Sequence, residues 1–249
     1  MPPGTGSSAS GACSALHIRD VPSPNHEARP DGVVIDTLVL HYTGMRSGQE
    51  AIARLCDPAA KVSAHYVVEE DGAVFRLVPE ERRAAHAGIS HWRGRSALNG
   101  SSIGIEIVNP GHEWGYRPFP ALQMAAVCDL CLEVMARHPI EQRNVVAHSD
   151  IAPDRKQDPG ELFDWQGLAA NGVGLWPGAD AAPVEEAALL PLLGAIGYRT
   201  DLPLSVLLTA FQRHWLPGRA DGIADAPTRA RVAAVARVFD QVDARRKGR

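Results

Sequence analysis

The sequence predicts an α/β fold in which strands and helices share one core, followed by a small C-terminal helical module. Three observations predict it. Apolar β-type runs stand at 35–42 and 103–108, and a third at 63–69 is followed by an Asp-Gly turn signal. The stretch from Pro120 to Arg137 carries its apolar residues at helical spacing. Near Pro177 to Pro183 the composition shifts to Gly, Ala, Asp and Pro, as linkers do, and three more helical patterns follow.

Taken in order, residues 1–20 are rich in Gly, Ser, Ala and Pro at their start and predict a flexible N-terminal arm. Val21 to Pro30 is Pro-rich and predicts an extended surface segment. Ile35 to Tyr42 (I-D-T-L-V-L-H-Y) predicts a buried strand, and Gln49 to Cys56 a short helix. Ser63 to Glu69 and Val74 to Val78 flank Asp71-Gly72, which predicts a hairpin. Ala84 to Ser102 has Gly, Ser, His and Arg but few aliphatics, so it predicts a long loop of the kind that carries function. Ile103 to Val108 (I-G-I-E-I-V) predicts a second central strand. The amphipathic helix that follows presents Leu122, Ala125, Ala126, Cys128, Leu130, Leu132, Val134 and Met135, and His138-Pro139 ends it. Asn144 to Ala147 predicts a short strand running into His148, and Trp165 to Ala170 a short helix. The domain expected over 21–177 is joined by a linker, 178–183, to a three-helix module over 184–244. Its helices are expected at Val184 to Ile196, Leu204 to Trp215 and Thr228 to Ala244, punctuated by Pro203, Pro217-Gly218 and Pro227. The basic tail from Ala244 is expected to be solvated.

Composition excludes several classes. Hydrophobic residues make up 45% and charged residues 22%, which argues against a disordered chain. The formal charge of −4 leaves no basic excess, so no nucleic-acid partner is expected. No stretch approaches the ~20 apolar residues of a membrane span. Cys128 and Cys131 form a C-x-x-C on one face of a helix and read as a buried pair; without a second C-x-x-C, a four-cysteine zinc site is excluded.

Three features point to chemistry. His41 ends one buried strand, His148 ends another, and Asp158 follows within R-K-Q-D-P-G. Two imidazoles and a carboxylate are good ligands for a divalent cation and leave a fourth position for water. The chain has 10 histidines, however, and a histidine beside an apolar run is more often a core residue, so spacing alone leaves the triad open. Glu106 stands between apolar neighbours in I-G-I-E-I-V, where a carboxylate is costly to bury without a partner, unless it faces outward. Lys156 lies two residues before Asp158 and would project near it from an extended loop.

Seven segments, in order, carry a resemblance: S-P-N-H-E-A-R-P (23–30), L-V-L-H-Y-T (38–43), V-S-A-H-Y-V-V (62–68), H-A-G-I-S-H-W (86–92), N-G-S-S-I-G-I-E-I-V-N (99–109), V-V-A-H-S-D-I-A-P-D-R-K-Q-D-P-G (145–160) and F-D-W (163–165). Over 21–177 the chain resembles zinc-dependent N-acetylmuramoyl-L-alanine amidases of the amidase-2 type, which include peptidoglycan recognition proteins, and within them the AmpD/AmiD branch. The resemblance implies a mixed central β-sheet flanked by helices. It implies that His41, His148 and Asp158 hold Zn2+, that Glu106 works with the hydrolytic water, and that Lys156 stabilises the oxyanion. Asp rather than Cys at 158 is like the AmpD/AmiD branch, whereas Ala85 departs from the Trp usual before H-A-G. Tyr42, His86, Trp92, Arg93 and Asn99 are expected to line the substrate groove, and Arg93 and Arg95 suit stem-peptide carboxylates. The C-terminal segments A-F-Q-R-H-W (210–215) and A-D-G-I-A-D-A-P-T (220–228) look like the three-helix peptidoglycan-binding domain often attached to such enzymes. Phe211 and Trp215 share a helix face and read as core rather than as a sugar platform.

The implied activity is hydrolysis of the amide between N-acetylmuramic acid and L-alanine, in peptidoglycan or in (anhydro-)muropeptides. Two alternatives stand beside it: a recognition protein that binds peptidoglycan without cutting it, and a zinc hydrolase of another acyl amide. The chain as written has no secretory signal, which favours the cytoplasm and a recycling role. A mis-assigned start would hide such a signal, and the wall-binding-like module favours the periplasm.

Overall fold

A computed structural model of the protein describes residues 16–179 and 181–247. Its strands are β1 (Ile18–Asp20), β2 (His26–Ala28), β3 (Thr37–Tyr42), β4 (Tyr66–Val68), β5 (Val74–Arg76), β6 (Arg82–Ala84), β7 (His91–Trp92), β8 (Arg95–Ser96), β9 (Ser102–Ile107) and β10 (Val145–Ala147). The helices are α1 (Gly48–Cys56), α2 (Gly111–Trp114), α3 (Ala121–Arg137), α4 (His148–Ile151), α5 (Trp165–Ala170), α6 (Leu189–Ile196), α7 (Leu204–Trp215) and α8 (Ala226–Lys247). A six-stranded sheet runs in the order β1-β5-β4-β9-β3-β10. Only β4 and β5, the Asp-Gly hairpin, pair antiparallel within it, so the sheet is mixed and flanked by helices.

The central strands are buried on both faces, which is why they read as continuous apolar runs. Leu38, Leu40, Ile103, Ile105 and Ile107 point one way, into a core closed by Val127, Leu130 and Val134 of α3. Gln123 of the same helix donates to the carbonyls of Val68 (3.1 Å) and Val108 (2.8 Å), tying helix to sheet. The buried stripe of α3 is narrower than its apolar pattern: Leu122 and Leu132 face solvent. The opposite face of the sheet is shared. Val67 meets Leu55 of α1, and Val39 meets the C-terminal helices. Between these two patches, at the C-terminal ends of β3 and β9, the sheet is left open for the site.

Three sequence expectations are corrected. Much of the arm expected over 1–20 lies outside the described residues, but Ile18–Asp20 is ordered as an edge strand parallel to β5. The 84–102 segment is not a plain loop, because β6 pairs with β2 and the two-residue strands β7 and β8 form a hairpin. Strands so short have no periodicity to detect. The last helix runs on to Lys247, past the expected start of a solvated tail at Ala244.

The expected linker includes Asp180, which lies outside the described residues, and the helices beyond it pack directly on the sheet domain. Leu193, Leu207, Phe211 and Trp215 form one apolar cluster with Val39, Trp92, Val146 and Ile151. Phe211 and Trp215 are buried, as the core reading requires. Buried apolar surface is the main stabilising term, so the module and the sheet hold each other in place.

Candidate metal centre

β3 and β10 are parallel neighbours, with Leu40 opposite Ala147. The next residue of each chain segment is a histidine, so adjacency in the sheet alone brings His41 and His148 together. The loop after α4 returns Asp158 to them and is held there by Ser149, whose N–H donates to the Asp158 carbonyl (3.0 Å). The three donor atoms converge: His41 Nδ1 and His148 Nδ1 are 2.9 Å apart, and each lies 3.0 Å from Asp158 Oδ2. All three residues are buried.

The surrounding hydrogen bonds assign the imidazole tautomers. Ser102 Oγ donates to the Leu98 carbonyl (2.7 Å), so it accepts from His86 Nε2 (3.1 Å). His86 Nδ1 then accepts from His41 Nε2 (3.1 Å), which leaves the lone pair of His41 Nδ1 facing the site. His148 Nε2 donates to the Ala87 carbonyl (3.3 Å), so its Nδ1 lone pair faces the site as well. Two imidazole lone pairs and a carboxylate oxygen therefore meet with no proton between them. Such an arrangement is repulsive unless a cation sits among the donors. The donor separations are close to the ~3.3 Å edge of a tetrahedron with the 2.0–2.1 Å bonds of zinc to nitrogen and oxygen. The donor set thus fits a divalent cation of that kind, and the bonds on the far side of each ring are those that orient metal-binding histidines.

Charge follows burial. Desolvation, and then the neighbouring His148, push the His41 imidazole down to about 4. His86 is driven well below the ordinary histidine value by burial and by the imidazoles of His41 and His65. Burial would raise the Asp158 carboxyl, but His148 and His41 outweigh it and hold it well below the usual range. Glu106 goes the other way: burial, then the charge of Asp158, raise it well above the usual range, against the opposing Lys156 ammonium. Its Oε2 is buried and has no hydrogen-bond partner among the described residues. Glu106 is the register partner of His41 across β3 and β9, so both side chains leave the same face of the sheet.

The donors open into a cleft of about 380 Å³, which Tyr42, His86, Glu106, Lys156 and Gln157 also line. The other expected groove residues are placed elsewhere. Trp92 is buried against Tyr198 and Phe239 of the C-terminal module. Arg93 donates to the carbonyls of Ala195 and Ile196 and pairs with Asp243 at 3.0 Å. Arg95 pairs with Asp36 (2.8 Å). These three side chains serve the fold, because the β7–β8 hairpin turns them away from the cleft. Asn99 is buried, and its Oδ1 accepts from the N–H groups of His86 (3.1 Å) and Ala87 (2.7 Å), so it shapes the loop instead of facing a ligand. His86 borders the cleft, but its two ring nitrogens are taken by His41 and Ser102.

Two contributors escaped the sequence reading. Gly104 lies under His86, and a Cβ there would stand 2.4 Å from the His86 ring. Its signal was a glycine inside a strand, which often marks a close approach. Arg29, within S-P-N-H-E-A-R-P, donates to the carbonyls of Glu80 (2.9 Å), Gly100 (2.6 Å) and Ser102 (2.9 Å) and so pins the loop that carries the His86 chain.

Residues 31–161 match the family described as N-acetylmuramoyl-L-alanine amidase (Amidase_2). The chain belongs to this family. It is 39% identical over 235 residues to the N-acetylmuramoyl-L-alanine amidase AmiD of Escherichia coli, covering 83% of this chain and 84% of that one. It is 35% identical over 164 residues to the 1,6-anhydro-N-acetylmuramyl-L-alanine amidase AmpD of the same organism, covering 59% of this chain and 87% of that one. Among solved structures, the E. coli AmiD complex with anhydro-N-acetylmuramic acid-L-Ala-D-gamma-Glu-L-Lys aligns with a TM-score of 0.75 at 38% identity, covering 86% of this chain and 93% of that one. AmpDh3 of Pseudomonas aeruginosa, in complex with anhydromuramic pentapeptide, aligns at 0.74 and 31% identity, covering 84% and 95%. Both superpositions extend beyond the matched amidase domain, so the helical module is part of the resemblance.

Proposed function

We propose that this amidase uses zinc to hydrolyse the amide between the lactyl group of N-acetylmuramic acid and L-alanine, acting on anhydro-muropeptides or on the corresponding strands of peptidoglycan. The observation that carries the reading is the buried triangle of His41 Nδ1, His148 Nδ1 and Asp158 Oδ2 opening into a cleft beside Glu106 and Lys156. The ligands bound in the AmiD and AmpDh3 complexes suggest the substrate class.

His41, His148 and Asp158 would hold the ion. Once bound, it would polarise the scissile carbonyl and acidify water at the vacant position. Glu106 accepts a proton from the attacking water and passes it to the departing L-alanine amine. Its place on the same sheet face as His41, with an unpartnered oxygen beside the cleft, suits that task. Lys156 lines the same cleft, and its ammonium would stabilise the oxygen on which negative charge develops, where fixed positive charge contributes most. Tyr42 borders the same cleft and is placed to contact substrate. Retention of Glu106 and Lys156 beside an intact donor set supports catalysis over binding alone.

The test is metal analysis of the purified protein together with mass spectrometry of its products on anhydromuropeptides and on sacculi. Expected are one zinc per chain, release of free stem peptide beginning at L-alanine, and loss of release on chelation that zinc restores. Metal-independent release, or tight binding of muropeptide with no release, would overturn the reading.

A further inference from the structure

We infer that the C-terminal helical module positions the metal ligand His148 through a buried carboxylate clamp, in which Tyr198 and His214 hold Asp150. This rests on the metal-centre reading above and assigns the module a task at the site itself.

Asp150 stands two residues after His148 on α4 and is 1% exposed. Its Oδ2 accepts from the N–H of Ala147 (2.8 Å) and from His214 Nδ1 (2.6 Å), while its Oδ1 accepts from the Tyr198 hydroxyl (2.5 Å). Only the first of these bonds is local. The other two come from the module, His214 from α7 and Tyr198 from the segment just after α6. The His214 ring is itself fixed, stacked on Trp165 of the sheet domain (3.8 Å between centroids) and on Trp215 (4.0 Å).

α4 has only four residues, all buried. A helix that short has no cooperative stability of its own, so its orientation is set by what grips it. The grip is Asp150: the bond to Ala147 N closes the turn at the residue before His148, and the module's two donors anchor the carboxylate. A buried carboxylate deprived of them must move toward water or draw water in. Either change tilts the turn that aims His148 Nδ1 at the site. Metal sites tolerate little such movement, and loss of an outer partner typically weakens binding by roughly 10–100-fold.

The experiment uses the full chain and four proteins: wild type, Tyr198→Phe, the double variant Tyr198→Phe/His214→Leu, and His214→Asn, whose amide can donate where Nδ1 stood. Zinc affinity is measured by competition with a chromophoric chelator. The visible spectrum of the cobalt(II)-loaded protein reports donor geometry, and melting of the metal-free protein reports folding. The double variant is expected to stay folded, to bind zinc roughly 10–100-fold more weakly and to show a shifted cobalt spectrum, with His214→Asn near wild type. A folded double variant with wild-type affinity and spectrum would overturn the inference. If the double variant does not fold, Tyr198→Phe decides, since it keeps the ring. Roughly tenfold weaker binding supports the clamp and unchanged binding overturns it. A wild type that binds no zinc would sink the metal-centre reading and the clamp with it, an outcome distinct from variants that merely match a zinc-binding wild type.

Discussion

His41 and Glu106 are register partners on neighbouring parallel strands, so an imidazole of the donor triangle and a carboxyl of raised proton affinity leave the same face of the sheet side by side. Neither is placed by a flexible loop. Each sits within a strand that is hydrogen-bonded on both sides, the kind of rigid element on which site geometry is best preserved.

Glu106→Gln removes the proton carrier while keeping the shape of the side chain. Turnover is expected to fall by roughly 10²–10⁴-fold, with zinc content unchanged and KM little affected. Steady-state kinetics with metal analysis checks this, and near-normal turnover would remove Glu106 from its role.

Gly104→Ala puts a methyl group 2.4 Å from the His86 ring, far inside contact distance. The ring must shift, and the chain from Ser102 through His86 to His41 Nε2 breaks with it. Stability is expected to drop by about 1–3 kcal/mol, as for overpacked cores, and zinc to bind roughly tenfold more weakly. Urea denaturation and chelator competition measure the two effects, and an alanine variant matching wild type in both would refute the chain.

Glu80 predicts the acid limb of stability. Burial alone would raise its carboxyl, but hydrogen bonds from Arg137, Tyr66 and His138 outweigh burial and hold it at about 2. A depressed carboxyl stabilises the fold above its unfolded value of 4.5, and the contribution is lost as pH falls through that value toward 2. After allowance for solvent around half-exposed Arg137, the effect is about 2 kcal/mol. Metal-free Glu80→Gln should therefore trail wild type near pH 7 by about that amount, with the gap narrowing below 4.5 and closing only as pH approaches 2 in urea titrations. A gap that does not change with pH would contradict the assignment.

Trp92 tests whether the module and the sheet domain are one cooperative unit. It is buried between them, against Tyr198 and Phe239. Calorimetry of wild type is expected to show one transition, and Trp92→Ala should lower it as a whole by about 3–5 kcal/mol. Two separate transitions, with only one moved by the substitution, would show independent domains.

The strands were legible because β3 and β9 are buried on both faces and so appear as largely apolar runs, interrupted near their C-terminal ends by His41 and Glu106. The donor set was legible only through the order of seven motifs, since two histidines and an aspartate far apart in sequence carry no spacing signal of their own. The 84–102 segment was the least legible. Its Trp92 and Arg93 look like ligand-binding groups in an aliphatic-poor stretch, and nothing in the residues tells that a two-residue hairpin aims them at α6 and α8.

What the sequence determined by itself is which residues are chemically capable: His41, His148, Asp158, Glu106 and Lys156 by type and order, and the sheet by its apolar runs. The tertiary structure decided which way those residues face and what steadies them, from the His86 tautomer that frees His41 Nδ1 to the module's grip on Asp150. The physical reason is that a side chain's proton, partner and direction are set by groups distant in the chain, brought near only when burying apolar surface closes the core.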